Sequence, residues 1–205
     1  MKEQENEKRT GAGLRSTLKK RLSAKRIALM GVFVALSYAV SWLEIPLNFG
    51  VPFLKLDLGN VFIVLIAFLL GPVEGVIVCL LKESLRLIGG TGAGELANFI
   101  TTSSYLLLPS ILYQYKKNLK TVIISLLASC LIATGVALLA NRFVTFPFFA
   151  SLDPSGLILG YTVAEAFAKW WWGVLLFNLT KTLLVGIATI LLYKRLSNFL
   201  KKMKI

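Results

Sequence analysis

The stretch from Trp170 to Tyr193, WWWGVLLFNLTKTLLVGIATILLY, decides the fold. Its 24 residues are apolar apart from a few polar positions, and about 20 such residues suffice to cross a bilayer as a helix. A lysine, Lys181, stands near the middle. A lysine at that depth costs roughly 2.5–3.5 kcal/mol on insertion scales, so it must face the bundle interior or a wet cavity. Asn178, three positions earlier, shares its face, and Thr182 follows Asn178 by four. Helix pairing through a carboxylate and binding of a polar ligand both explain such a lysine.

Working outward, the whole chain has the same character. Its 205 residues are 56% hydrophobic with a mean hydropathy of +0.73, more apolar surface than a soluble domain of this length can hide. Five further apolar runs read as helices: Ile27 to Leu43, Val61 to Leu70, Val73 to Ile88, Glu95 to Tyr113 and Val122 to Ala140. The expected architecture is therefore all-α, a bundle of six transmembrane helices over residues 27–205 behind a basic tail over residues 1–26. Val61 to Leu70 is short and must borrow flanking residues or pack against neighbours. Asn141 to Lys169, with Pro147, Pro154 and Gly160, reads as a long loop with a helical turn near Val163 to Phe167. Ala39-Val40-Ser41 loosely mimics a signal-peptidase site, but the long preceding tail and the run to Trp42 favour a retained helix.

The net charge of +13 in a soluble protein would point to nucleic acid. Here the basic residues follow topology instead. Nine precede residue 27, three (Lys116, Lys117, Lys120) join helices four and five, and five lie from Lys194 onward. Six crossings put all of these on one face, and the positive-inside rule places both termini in the cytoplasm. Lys169 and Trp170 to Trp172 then begin the last helix at the opposite interface, as an aromatic belt.

Catalytic classes fall away quickly. The chain has no histidine, which excludes imidazole bases, histidine ligands and triads that need them. Cys79 and Cys130 sit singly in apolar runs, without disulfide or zinc spacing. The acidic residues are scattered, with no pair at helical spacing, so a small membrane enzyme is a distant reading. No metal site is expected.

Polar groups at buried depth are the candidates for binding. Glu95, Asn98 and Thr102 share a helix face behind the glycine-rich break Gly89 to Gly94, whose backbone amides a ligand could approach closely. The break lacks the Gly-Lys-Ser/Thr ending of a nucleotide loop. Lys82, Glu83 and Arg86 crowd the end of helix three, where partnership with Asp57, Glu74 or Glu95 is the simpler reading. Lys55 and Asp57 end the first loop, placed to gate a pocket or to contact water. Ala28, Gly31, Ala35 and Ala39 form a stripe of small residues that suits close helix approach, within the chain or to a partner.

These stretches resemble a known family. Val51-Pro52-Phe53-Leu54-Lys55-Leu56-Asp57, Gly71-Pro72 with Gly75, Leu81-Lys82, Gly92-Ala93-Gly94-Glu95-Leu96-Ala97-Asn98-Phe99, Asn141 with Pro147, and Phe177-Asn178-Leu179-Thr180-Lys181 are similar to the substrate-binding S component of energy-coupling factor (ECF) vitamin transporters, most of all its riboflavin-specific branch. The resemblance runs from about residue 27 to 200. It implies a multi-pass protein of the cell membrane that binds vitamin near the extracellular face and has no ATPase of its own. A transmembrane coupling protein and two ATPase subunits would be its partners, docking on the alanine motif Ala35 and Ala39. It also implies contacts to the vitamin from Asn141, Asn178 and Lys181, with Glu95 and Asn98 at the same pocket. One departure stands out. Where riboflavin members often read Ser-Asp-Ile-Pro after the aspartate, this chain has Leu58-Gly59-Asn60-Val61-Phe62.

Riboflavin suits these residues. Its flat ring would lie against apolar and aromatic side chains such as Phe53 or Phe99, while Asn98, Asn141, Asn178 and Lys181 donate to oxygens and Glu95 accepts. Apart from this ligand, no cofactor is expected. A neutral cargo fits charged groups that neutralise one another. The rivals are another vitamin such as pantothenate or folate, for which Lys82, Arg86 or Lys181 would supply an unpaired cation, and a passive packing subunit with no ligand.

Overall fold

A computed structural model describes residues 23–202 apart from Asn48 and Thr91, with side chains as far as Tyr193. The expected basic tail therefore falls mostly outside the described residues, as do the side chains of the C-terminal basic cluster. The protein is all-α, built on six long helical segments. They are α1 (Ala24–Ser41), α2 (Asn60–Leu70), α3 (Pro72–Arg86), α4 (Ala93–Tyr115), α5 (Leu119–Ala140), which runs on through a π turn (Asn141–Thr145) into α6 (Phe146–Leu152), and α7 (Val163–Lys202). A two-residue antiparallel ladder, β1 (Ile45–Pro46) with β2 (Lys55–Leu56), ties the α1–α2 loop.

Three segments are long and apolar enough to cross a bilayer by themselves: Ala24–Ser41, Leu119–Leu152 and Val163–Tyr193. The short second helix has a different solution. Eleven residues rise only about 16 Å, well short of a roughly 30 Å hydrocarbon layer. Yet every residue of α2 except Phe62 and Leu69 is buried, so its ends are roofed by protein, where non-helical backbone is tolerated at membrane depth. It packs between α1, α3, α4 and α7 and is the centre of the main apolar core, with Ile63, Val64, Leu65, Ile66 and Ala67 almost wholly enclosed. Pro72 stands in the first turn of α3, where a missing N–H costs nothing.

The expected long loop after residue 140 is a correction. Asn141 to Leu152 is helical, and the loop proper begins only at Asp153. The reading failed at Pro147, which resembles a breaker. It lies in the first turn of α6, directly after the π turn, where proline is tolerated. The last helix likewise begins at Val163 rather than Trp170, so the turn foreseen at Val163 to Phe167 is its first stretch. Trp170 is consequently not a belt residue. It is buried against Phe53, Phe146 and Tyr161, whereas Trp171 and Trp172 face outward.

That aromatic cluster forms a second, smaller core with Val51, Ala150, Ile158 and Val174. The α1–α2 loop lies against α7 there. A side chain at Gly173 would meet the Phe49 carbonyl oxygen at 2.5 Å, so glycine admits the loop. The two cores are stacked along the bundle, and polar side chains separate them.

Candidate functional site

A cavity of about 540 Å³ opens between the α1–α2 loop, the end of α3, the start of α4, the π turn with α6, and the middle of α7. Pockets for small ligands run from about 300 to 1,000 Å³. Lys55, Asp57, Glu95, Asn98, Asn141, Asn178 and Lys181 all line it, although they come from five separate stretches of chain. Phe53 lines it too, with Tyr38, Trp42, Phe149 and Phe177 as further aromatic walls. Phe99, the other aromatic expected there, packs against the main core instead.

Its floor is a closed charge network. Lys82, with no exposed surface, donates to Asp57 Oδ2 and, at 2.7 Å, to Glu83 Oε1. Asp57 Oδ1 accepts the Gly59 N–H at 2.7 Å, which fixes the loop end above α2. Asn98 is the hub. Its Oδ1 accepts from Lys181 Nζ and from Asn60 Nδ2 at 3.0 Å, while its Nδ2 donates to Glu83 Oε1. Two carboxylates and two ammonium groups thus sum to zero in a region nearly sealed from water. Such a group stays ionised in low dielectric only because each charge has its counter-charge and hydrogen bonds. One atom stands out: Glu83 Oε2 is buried and has no hydrogen-bond partner among the described residues.

Asn141 and Asn178 face the cavity from α5 and α7. Each turns its amide N–H back on its own helix, to Ala137 O and Val174 O respectively, at 2.8 Å. That leaves the carbonyl oxygens as the groups open to a ligand, or the amides themselves if a ligand outcompetes the backbone. Glu95 has a local task as well: its Oε2 accepts the Gly92 N–H at 2.9 Å and so caps α4. Gly92 has φ +86°, a conformation that suits glycine. The glycine amide foreseen as a ligand contact is therefore already used.

At the mouth, Glu44 joins the loop to α3. Its Oε2 accepts from Lys55 Nζ at 2.6 Å and its Oε1 from Arg86, which also donates to the Ser41 carbonyl at 2.7 Å. Burial disfavours the Glu44 carboxylate, but Lys55 and Arg86 outweigh it and hold the carboxyl below its ordinary value.

Of the partnerships weighed for the α3 cluster, Lys82 takes Asp57, but Arg86 takes Glu44, and Glu74 pairs with Arg26 at 3.6 Å. Lys82 is thus not the unpaired cation that an anionic cargo would need. Glu44 and Glu83 escaped notice as cavity residues. Glu44 meets Arg86 across 42 positions of chain, with no motif to announce it. Glu83 adjoins Lys82, and consecutive helical residues face different ways; both are buried because α3 is enclosed on several sides.

The small-residue stripe resolves clearly. Ala28, Gly31, Ala35 and Ala39 are all exposed on the outer face of α1, and nothing lies within 4 Å of a Cβ built at Gly31.

Comparison with known proteins gives a consistent set of likenesses. The profile of the family described as "ECF transporter, substrate-specific component" matches residues 25–193. The chain is 31% identical over 180 residues to riboflavin transporter RibU of Staphylococcus aureus (strain TCH60), covering 87% of this chain and 93% of that one. It is 21% identical over 189 residues to riboflavin transporter FmnP of Bacillus subtilis (strain 168), covering 89% and 97%. A solved structure of the S component of a bacterial ECF transporter superposes with a TM-score of 0.72 and 32% identity, over 86% of this chain and 98% of that chain.

Proposed function

The chain belongs to the substrate-specific components of ECF transporters, non-enzymatic transport subunits of the cell membrane, and from that premise we propose that its cargo is riboflavin. The observation that carries this reading is the cavity itself. Aromatic walls from Phe53, Phe149 and Phe177 meet an electrically neutral polar floor, which matches an uncharged flavin ring with a hydrogen-bonding edge. The proteins of similar sequence that are called riboflavin transporters lend further support.

In this reading Asn141, Asn178 and Lys181 hydrogen-bond the vitamin, and Asn98 and Glu95 complete the polar lining. Lys55 and Asp57 act through the loop, Asp57 as the anchor of its inner end and Lys55 at the rim. The mouth faces outside, and the basic residues lie with both termini in the cytoplasm. A transmembrane coupling protein docks on α1, where the exposed Ala35 and Ala39 permit close helix approach, and two ATPase subunits drive uptake.

A second reading rests on the mouth. Lys55 and Arg86 share one carboxylate, Glu44, so the rim has one positive charge to spare, a feature that favours an anionic vitamin such as pantothenate or folate.

Titration of the detergent-purified protein with riboflavin, followed by quenching of flavin fluorescence, separates the two. Riboflavin is expected to bind one to one, and Asn178→Ala to weaken it by about tenfold, the cost of about one buried hydrogen bond. Folded protein that leaves flavin fluorescence unchanged, and that binds pantothenate or folate instead, discards the flavin reading.

A further inference from the structure

We propose that Glu83 is a specificity-determining residue, the carboxylate that keeps the cavity floor neutral and thereby selects an uncharged flavin over an anionic one. This rests on the riboflavin reading above and goes beyond it. No motif singles out Glu83, yet it lines the cavity with only 4% of its surface exposed.

The argument is one of charge and position. Without Glu83 the floor would hold Asp57 against Lys82 and Lys181, an excess positive charge in a nearly dry site, where Coulomb interactions are strongest. Such a floor would attract an anion. With Glu83 present, its Oε1 is committed to Lys82 and Asn98. Its Oε2, without a partner among the described residues, leaves negative potential that no local donor quenches. An anionic group brought to this floor meets that oxygen, whereas a neutral N–H would find it a ready acceptor. Asn60 supports the same conclusion. It is 2% exposed, and its Oδ1 lies 3.5 Å from Lys82 Nζ. A carboxylate in its place would tip the floor negative unless another were removed. The pair Asn60 and Glu83 therefore offers two places for one charge.

The test compares three ligands on the full-length protein in detergent: riboflavin, 8-carboxyriboflavin with its charge on the ring, and riboflavin 5′-phosphate with its charge on the tail. Using both anions removes any dependence on which end of the flavin reaches the floor. Glu83→Gln preserves shape and removes one charge. It is expected to narrow the preference for riboflavin over at least one of the anions by about tenfold, since complementarity of charge governs discrimination between partners. Asp57→Asn, which takes the other negative charge from the same floor, is expected to shift the ratio in the same direction. Glu83→Gln combined with Asn60→Asp restores neutrality, and the ratio is expected to return toward that of the unaltered protein.

A purely structural role would weaken all three ligands together and leave their ratios unmoved, and that result overturns the assignment while leaving the riboflavin reading intact. Unaltered protein that binds none of the flavins overturns both.

Discussion

The floor and the mouth of the cavity are built from the same kinds of residue, yet they obey different physics. At the floor, Lys82, Asp57 and Glu83 are sealed from water and each ion is held by a partner. At the mouth, Glu44, Arg86 and Lys55 make equally short contacts, but Lys55 keeps 57% of its side chain exposed. Buried ions cost a great deal when their partners are lost, whereas exposed pairs contribute at most about 1 kcal/mol. The contrast assigns the floor to structure and selectivity. The mouth is left as a weak tie that a ligand or a change of solvent can release.

Four experiments press on that contrast. The largest effect is expected from Lys82→Met, which strands two carboxylates and should lower stability by about 3–5 kcal/mol, read as a fall in thermal unfolding temperature in detergent. A change no larger than that of a mouth variant would erase the distinction. Next is Lys181→Ala, which removes the ammonium that meets Asn98 and is expected to weaken riboflavin by about 10- to 100-fold, within the span for a hydrogen bond to a charged group, measured by flavin quenching.

A smaller effect is expected at the mouth. Glu44→Gln should cost under about 1 kcal/mol, and raising the salt concentration should shrink the difference from the unaltered protein, because exposed charges are screened. Comparing unfolding temperatures at low and high salt reads this directly. The smallest effect is the pH dependence of the same group. The Glu44 carboxyl sits below its ordinary value in the folded chain, so its contribution is complete above the ordinary carboxylate range. That contribution drains away as pH falls through the lowered value. Glu44→Gln should therefore show a slightly flatter acid limb than the unaltered protein, and an identical limb would mean the mouth contributes nothing.

Much of the floor could be read before any coordinates. Lys181 and Asn178 betray themselves because an ammonium and an amide within an apolar helix demand a polar environment. Glu95 and Asn98 follow from helical spacing. What could not be read came from across the chain or from a misleading residue. Pro147 and the glycines beyond it hid the continuation of α5, because a proline in a first helical turn looks the same in sequence as one that ends a helix. The buried state of Glu83 depends on how α3 is surrounded, which no window of sequence carries. The outward stripe on α1 was visible as a stripe, but its direction was not. Small residues at helical spacing are equally compatible with either side.

The π turn at Asn141–Thr145 has a consequence for how this protein can vary. Each residue of an α-helix advances the side-chain direction by about 100°, and the π turn holds one residue beyond what the regular spiral needs. Loss of a single residue there would not simply shorten the segment. It would turn α6 like a key, sweeping Phe146 and Phe149 away from Phe53, with which both now make ring contacts. Insertions and deletions should thus be far rarer across these five positions than in the loop that follows, where Asp153 to Thr162 can change length without rotating anything that lines the cavity.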